Sequence, residues 1–298
     1  MGAKPTERYL RVFQSRKRLS LVFIAPALLY LAIFQLYPVL YAVYISFHKY
    51  DLMSPPVFTG LSNYTRLASD QQFLRSLWVT AFYVFWTIVP VIGLSFVLGG
   101  LLSTLGRSRS VWRVLLYLPS ILPFVSVALV WKLLFNQRGP INDALNTAGI
   151  ASIPWLTNGA YAPWALIFMS WWHATSYYTI IFLAGFLTLP RDCFEAARLD
   201  GAKLFPMLRH ITIPLMRPTI ALVVVLATVN GLKAFVFQQV LTDGGPANAT
   251  QILTILIYKT AFSYLDMGRA STYSIVLFGC VMLLSLIQIW LISGRRDA

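Results

Sequence analysis

Aromatic and hydrogen-bonding side chains interrupt two long apolar stretches of the chain. The first stretch contains Trp171, Trp172 and Tyr177, and the second contains Asn230 and Lys233. Aromatic faces stack on the rings of a polar solute, while amide and ammonium groups form hydrogen bonds with its oxygen atoms. These five residues are therefore candidates for lining a solute path. Trp and Tyr also anchor helices at membrane interfaces, and that alternative stays open for each aromatic residue.

Lys233 has two possible roles. It lies 16 residues after Arg217, which corresponds to roughly 24 Å along a helix axis and places it past the midplane of a bilayer. Its ammonium group could face a solute path, or it could extend along the helix to the membrane surface.

Patterns that would support catalysis are absent from the sequence. There is no Gly-x-x-x-x-Gly-Lys-Ser/Thr phosphate loop, no His-Glu-x-x-His motif and no carboxylate pair within an apolar stretch. We therefore predict that the chain is not an enzyme and that it holds no cofactor or metal of its own.

The segment between the two apolar stretches has the pattern of two short helices joined by a turn. It reads Glu195-Ala196-Ala197-Arg198-Leu199-Asp200-Gly201 and, nine residues later, Ile211-Thr212-Ile213-Pro214. Asp192, three residues before Glu195, predicts a capping box at the start of the first helix. Gly201 can adopt a positive φ and end that helix, and Pro206 suits the first turn of the second. An ordinary amphipathic loop would explain the tripeptide alone, but it does not explain the full spacing.

Composition places the chain in a membrane. Hydrophobic residues make up 58% of the sequence and charged residues 11%, and the mean hydropathy is +0.68. This leaves too little polar surface for a soluble protein of this size. Because a helix needs about 20 apolar residues to cross a bilayer, we predict an all-α polytopic membrane protein with six transmembrane helices. The predicted spans are 19–47, 74–103, 112–135, 161–189, 215–241 and 270–293.

Basic residues predict the orientation of these spans. Most of the 24 Lys and Arg residues fall in four segments that lie on one side of the membrane if there are six spans. These are the N-terminal segment 1–18, the loop around Arg107 and Arg109, the loop 190–214 and the tail 295–298. The positive-inside rule places both termini and the loop 190–214 in the cytoplasm. The net charge of +14 is then explained by contact with anionic lipid, so we predict no nucleic-acid partner.

Three segments together resemble a known family. The Glu-Ala-Ala segment with its Gly201 and Ile211 spacing departs from the family pattern only in Ile213, which replaces Leu. After the predicted third span, 131–156 resembles the corresponding loop of sugar-importer permeases, and Leu241-Thr242-Asp243-Gly244-Gly245-Pro246 resembles their outer turn. The chain is thus identified as similar to permease subunits of binding-protein-dependent ABC importers, in the carbohydrate branch that includes the maltose and glycerol-phosphate types.

This resemblance implies a type I ABC importer permease in the cell membrane of a bacterium or archaeon, which moves a sugar or related polyol by alternating access. The implied partners are a second, non-identical permease, two ATPase subunits that bind ATP and Mg, and an extracytoplasmic solute-binding protein. Glu195, Ala196, Ala197 and Gly201 are the implied docking residues for the ATPase, with Arg198 and Asp200 as further polar contacts.

A six-span secondary transporter or a channel without ATPase partners is the alternative. Such a transporter needs ionisable groups within the membrane. Away from their ends, the predicted spans offer only Lys233 and His173 as such groups, so the importer interpretation is favoured.

Overall fold

The structure is a computed structural model that describes residues 23–106 and 108–293. The predicted N-terminal segment 1–18, the tail 295–298 and the first residues of the predicted first span lie outside this part. The described chain is almost entirely helical, which confirms the predicted fold class. The helices are α1 (Phe23–Ser46), α2 (Ser62–Leu67), α3 (Gln71–Thr104), α4 (Arg109–Ile121), α5 (Phe124–Leu134), α6 (Pro140–Thr147), α7 (Ala162–Leu187), α8 (Arg191–Leu199), α9 (Leu204–Met207), α10 (Ile213–Leu232), α11 (Val236–Leu241), α12 (Leu253–Tyr258) and α13 (Met267–Ser293).

Irregular elements join some of these helices. Strands β1 (His48–Lys49) and β2 (Val57–Phe58) form a short antiparallel hairpin after α1. Three single turns of π-helix occur, one inside α1, one between α9 and α10, and one after α12. They comprise Ala32–Leu36, Leu208–Thr212 and Lys259–Ser263.

Four helical segments of the described chain are long and apolar enough to cross a membrane. They are Phe23–Ser46, Gln71–Thr104, Leu204–Leu241 and Met267–Leu291, and the bent pair of α4 and α5 would make a fifth. Helix α7 has 26 residues, about 39 Å, but the Trp, His, Ser, Thr and Tyr residues in its middle turns lower its hydropathy. The count of six spans therefore stays a prediction.

The predicted third span, 112–135, is two helices in the structure. Helices α4 and α5 meet at an angle of 92°. Pro123 precedes α5, and Leu122 before it is extended, with ψ of 141°. Proline has no N–H to continue the helix of α4 and disfavours the helical conformation in the residue before it. The predicted single span is therefore broken at Pro123.

The predicted fifth span, 215–241, is interrupted between α10 and α11. Lys233 ends α10, and Phe235 before α11 has φ of −152° and ψ of −55°. The carbonyl oxygen of Ala234 in this break accepts a hydrogen bond from Thr254 Oγ1. Two helix ends thus meet within one membrane segment, which exposes backbone groups that a continuous helix would bond internally.

Helix α12 was not predicted. It begins at Leu253, and three of its apolar side chains are buried, with Leu253 and Ile255 at 0% exposure and Leu256 at 1%. The Leu253 N–H donates to Thr80 Oγ1 of α3 at 2.8 Å. Because its apolar run is far too short to span a bilayer, hydropathy alone gives it no signal.

Helices α3 and α7 form the most extensive helix pair among the described elements. A Cβ added to Gly99 would lie 2.8 Å from the Cβ of Phe182, so glycine permits the close approach of the two backbones. The Tyr83 hydroxyl lies 2.8 Å from Ser170 Oγ, and both residues are buried. Small residues and interhelical hydrogen bonds are the usual means of packing helices in a membrane, where lipid removes the hydrophobic driving force.

An ionic cluster joins the first turns of α3 and α13. Asp70 caps α3 by accepting hydrogen bonds from the N–H groups of Gln72 and Phe73, both at 3.1 Å. It also accepts hydrogen bonds from Arg269, at 2.8 Å, and from the Tyr273 hydroxyl. Partial burial would raise the pKa of the Asp70 carboxyl, but the hydrogen bonds from Tyr273, Phe73 and Arg269 outweigh it and keep the pKa below its usual value.

We expect Gly99→Ala to destabilise the folded protein, because the added methyl group overlaps Phe182. Overpacking of this kind costs about 1–3 kcal/mol. Gly93→Ala is the matched control, since Gly93 lies on the same helix and nothing lies within 4 Å of its added Cβ. Thermal unfolding of both variants in detergent tests this. Equal melting temperatures for the two variants would contradict the packing described for α3 and α7.

The predicted orientation can be tested by cysteine labelling. In a background lacking Cys193 and Cys280, we expect Ser108→Cys to react with a membrane-impermeant reagent only from the cytoplasmic side. Met53→Cys, at a position 85% exposed, is expected to react only from the outside. Reversed labelling, or labelling of both from one side, would overturn the predicted topology.

Candidate functional site

A cavity of about 530 Å³ lies among α3, α7, α10, α11 and the bend between α4 and α5. Its wall combines aromatic rings, hydroxyl groups and amides, and it includes Lys233, which is an exposed residue. The break between α10 and α11 forms part of this wall. The polar and aromatic lining residues are Tyr83, Thr87, Ser120, Phe124, Ser170, His173, Tyr177, Tyr178, Asn230, Lys233, Phe235, Phe237 and Gln238.

Three of the five predicted path residues line this cavity. They are Tyr177 on α7, Asn230 on α10 and Lys233 in the break. Asn230 Nδ2 donates a hydrogen bond to the Tyr178 hydroxyl at 3.1 Å. This contact ties the end of α10 to α7 beside the cavity.

The other two predicted path residues are not part of the cavity lining. Trp171 Nε1 donates to the carbonyl oxygen of Trp86 on α3 at 2.7 Å. The Trp172 ring lies 5.7 Å from the ring of Trp131 on α5. Both tryptophans therefore contact other helices, whereas Tyr177 lines the cavity.

Several buried polar atoms at the cavity have no hydrogen-bond partner among the described residues. They are Thr87 Oγ1, His173 Nε2 and both amide atoms of Gln238. Thr87 is 6% exposed, His173 7% and Gln238 0%. An unpartnered buried polar group costs about 1–3 kcal/mol, and these groups share one cavity. Thr87 and Gln238 lie near the Tyr83 hydroxyl without hydrogen-bonding geometry to it, so their hydrogen-bonding capacity is left for water or a bound solute.

The contribution of α3 to the cavity was not predicted. Tyr83 and Thr87 belong to a polar series that continues from Ser76 and Thr80 at spacings of three and four residues. All four are buried. A polar stripe at helical spacing in an otherwise apolar helix marks the face that points into the protein. The sequence therefore contained a signal for this side of the cavity.

The Glu-Ala-Ala segment forms the helix α8 and the turn that follows it. Asp200 ends α8, and Gly201 has φ of +74°. The Gly201 N–H donates to the Arg198 carbonyl at 3.1 Å, and the Ala202 N–H donates to the Ala197 carbonyl at 2.9 Å. This is the Schellman arrangement, which requires the left-handed conformation that glycine adopts at little cost. The predicted helix end at Gly201 is confirmed, and Pro206 lies in the first turn of α9.

The predicted capping box at Asp192 is wrong. Helix α8 begins at Arg191, and its N-cap is Pro190, which has no side-chain hydrogen bond. Asp192 therefore lies inside the first turn, where a carboxylate still interacts favourably with the helix dipole. Glu195 and Ala196 are exposed, and Ala197 is half-buried.

The outer Gly-Gly-Pro segment forms a compact turn between α11 and α12. Gly244 has φ of +79°, and Gly245 and Pro246 follow it. Thr250 Oγ1 donates to the Gly245 carbonyl at 2.7 Å and lies 2.7 Å from Thr242 Oγ1. The turn thereby brings α12 back against α3.

The short helix α6 has Pro140 in its first turn, and Gly149, at φ of +77°, follows its end. Asn142 is fully buried within it. Its amide nitrogen donates to the Ile153 carbonyl at 3.0 Å, and its Oδ1 accepts from the Ile153 N–H at 2.9 Å. These bonds hold the loop after α6 in place beside α5.

Comparison with known proteins places the chain among membrane transport components. Residues 91–296 match the family model described as binding-protein-dependent transport system inner membrane component. The trehalose/maltose transport system permease protein MalF of Thermococcus litoralis is 33% identical over 94% of this chain and 95% of its own length. The sulfoquinovosyl glycerol transport system permease protein SmoG of Agrobacterium fabrum is 33% identical over 93% of this chain and 91% of its own length.

Solved structures show the same fold. A chain in the crystal structure of a bacterial ABC transporter involved in the import of the acidic polysaccharide alginate superimposes with a TM-score of 0.84. The match covers 96% of this chain and 100% of that chain, at 19% sequence identity. The predicted family is confirmed: the chain belongs to the binding-protein-dependent transport system inner membrane components, the non-enzymatic permease subunits of ABC importers.

Proposed function

We propose that this permease moves a sugar or related polyol through the cavity between α7 and the α10–α11 break. The observation that carries the proposal is the composition of the cavity wall. Tyr177, Tyr178 and Phe124 offer ring faces, and Thr87 and Gln238 offer unpartnered polar groups. Sugars present alternating apolar faces and hydroxyl groups, and this wall matches both. A volume of about 530 Å³ lies within the usual range of small-molecule sites.

The names of relatives support a carbohydrate solute. Besides the trehalose/maltose permease, they include a probable starch degradation products permease of Thermoanaerobacterium thermosulfurigenes at 31% identity over 92% of this chain. A secondary transporter or channel is less consistent with these relatives, each of which is named as part of a transport system.

We infer that α8 and the turn after it form the docking element for an ATPase subunit. Three large apolar side chains project from this region into solvent, namely Leu199 at 90% exposure, Leu204 at 83% and Phe205 at 70%. Exposed apolar side chains next to charged ones are typical of an interaction surface. In this proposal, Glu195, Arg198 and Asp200 supply polar contacts to the ATPase. The small residues Ala196, Ala197 and Gly201 let its surface approach the backbone of α8 closely.

The remaining partners follow from the same role. ATP and Mg are bound by two separate ATPase subunits, because the chain has no phosphate-binding loop of its own. A second permease, non-identical to this one, completes the pore in the bacterial or archaeal cell membrane. An extracytoplasmic binding protein delivers the solute at the outer side, near the Gly244-Gly245-Pro246 turn.

The coupling role can be tested by reversing one charge on α8. We expect Glu195→Lys to leave membrane insertion intact, to weaken co-purification of the ATPase subunits and to abolish ATP-dependent uptake into proteoliposomes. Gly201→Asp is expected to act in the same direction. Asp143→Lys on α6 makes a comparable charge change on the opposite predicted side and serves as the control. Wild-type uptake by Glu195→Lys with its ATPase bound would exclude α8 as the coupling element.

The solute path can be tested by comparing variants inside the cavity lining with one outside it. We expect Tyr177→Ala to weaken the apparent affinity for the solute about fivefold, which corresponds to a lost stacking contact of about 1 kcal/mol. Asn230→Leu is expected to lower uptake because it removes the hydrogen bond to Tyr178. Trp172→Ala, outside the cavity lining, is the control and should keep its affinity. If Trp172→Ala lowers the affinity and Tyr177→Ala does not, the solute path lies elsewhere.

A further inference from the structure

The charge distribution of the cavity is one-sided. Lys233 is the only Lys, Arg, Asp or Glu that lines it within the described part of the chain. None of the helices that form the wall contains an acidic residue, and no Asp or Glu occurs between Asp200 and Asp243. A carboxylate of this chain is therefore not available to neutralise the ammonium group.

The C-terminal end of α10 offsets the positive charge of Lys233 only in part. Lys233 ends α10, and its N–H donates to the Val229 carbonyl at 3.1 Å. The carbonyl groups at a helix C-terminus together act as roughly half a negative charge. The cavity wall therefore keeps a net positive potential, and a solute that displaces water from Lys233 has to replace the hydration of this ammonium group.

The cavity wall also carries unpartnered polar groups besides the cation. The Gln238 amide nitrogen and the Thr87 hydroxyl can donate, and both side chains are more than nine-tenths buried. His173 Nε2 is a third unpartnered atom at the same cavity. Gln238 Oε1 is an unpartnered acceptor, but the wall has a cation and several donors and no carboxylate among the described residues. It therefore suits a solute that carries strong acceptors.

We propose that the translocated solute carries an anionic group, such as a carboxylate, phosphate or sulfonate on a sugar, and that Lys233 binds this group during passage. This inference rests on the proposed function of the cavity and names the class of solute within it. In the alternative, Lys233 extends toward the membrane surface and does not bind the solute, so the solute need not be anionic.

The experiment uses the complete transporter with its ATPases and its binding protein in proteoliposomes. Uptake is measured for two matched solute pairs, trehalose with trehalose 6-phosphate and lactose with lactobionate. Wild-type protein is compared with Lys233→Met, which keeps the length of the side chain, and with Lys233→Arg, which keeps the charge. Assembly and basal ATP hydrolysis are measured for each variant, so that a folding defect is recognised.

We expect the wild-type transporter to import the anionic member of a pair, and Lys233→Met to lower that import about tenfold or more, the usual effect of losing a hydrogen bond to a charged group. Lys233→Arg should retain most of it. Import of the neutral member alone, or equal anionic import by Lys233→Met, would overturn the inference and leave the proposed function standing. No uptake of any of the four sugars would contradict both.

Discussion

A stripe of hydroxyl groups on one face of α3 constrains how the other helices pack. Each hydroxyl lies in apolar surroundings, where a missing hydrogen bond costs about 1–3 kcal/mol. The Thr80 hydroxyl also donates within α3, to the Ser76 carbonyl at 2.6 Å, but the other contacts of the stripe come from neighbouring segments and fix their register against α3. The pairs are Ser76 with Gln251 at 3.4 Å, Thr80 with the Leu253 N–H at 2.8 Å, Tyr83 with Ser170 at 2.8 Å, and Ser95 with the Thr175 carbonyl at 3.3 Å.

Thr87 is the exception in this stripe, because its hydroxyl has no partner among the described residues. It lies between Tyr83 and Ser95, where the helices packed on α3 separate and the cavity opens. The same polar face thus holds α7 and α12 in place and supplies an unpartnered group to the solute site. Packing and function depend on one set of side chains.

A single segment connects the proposed docking surface with the cavity. Residues Leu204–Leu241 run from the turn after α8, through the π-helical turn at Leu208–Thr212 and α10, to the break at Lys233. Near the start of this segment α10 crosses α7 closely, since a Cβ added to Gly185 would lie 2.6 Å from Thr219 Oγ1. A displacement of α8 by an ATPase would therefore reach the cavity wall through a packed helix rather than through a flexible loop. A π-helical turn at such a position is common at functional sites.

The sequence predicted the elements whose signal is local. Hydropathy located the long helices, and Gly201 marked a helix end because a positive φ favours glycine. Features that depend on tertiary contacts were missed. The break at Lys233 occurs where a neighbouring helix satisfies a freed backbone group, as Thr254 does for Ala234. A proline at position 123 marks a helix break but does not give its angle of 92°. Helix α12 is stable only because α3 and α13 bury it. The direction in which Trp172 or Tyr177 points likewise depends on which helices pack against α7.

An importer of this family requires that the cavity open alternately to the two sides of the membrane. This alternation is tested most directly by the accessibility of a cysteine at Ala174, a cavity-lining residue of α7, in the complete transporter lacking Cys193 and Cys280. A membrane-impermeant thiol reagent is applied to one side of proteoliposomes at a time. We predict labelling from the cytoplasmic side without nucleotide, and from the outer side once a non-hydrolysable ATP analogue and the binding protein are present. Labelling from the same side in both states would contradict alternating access of this cavity.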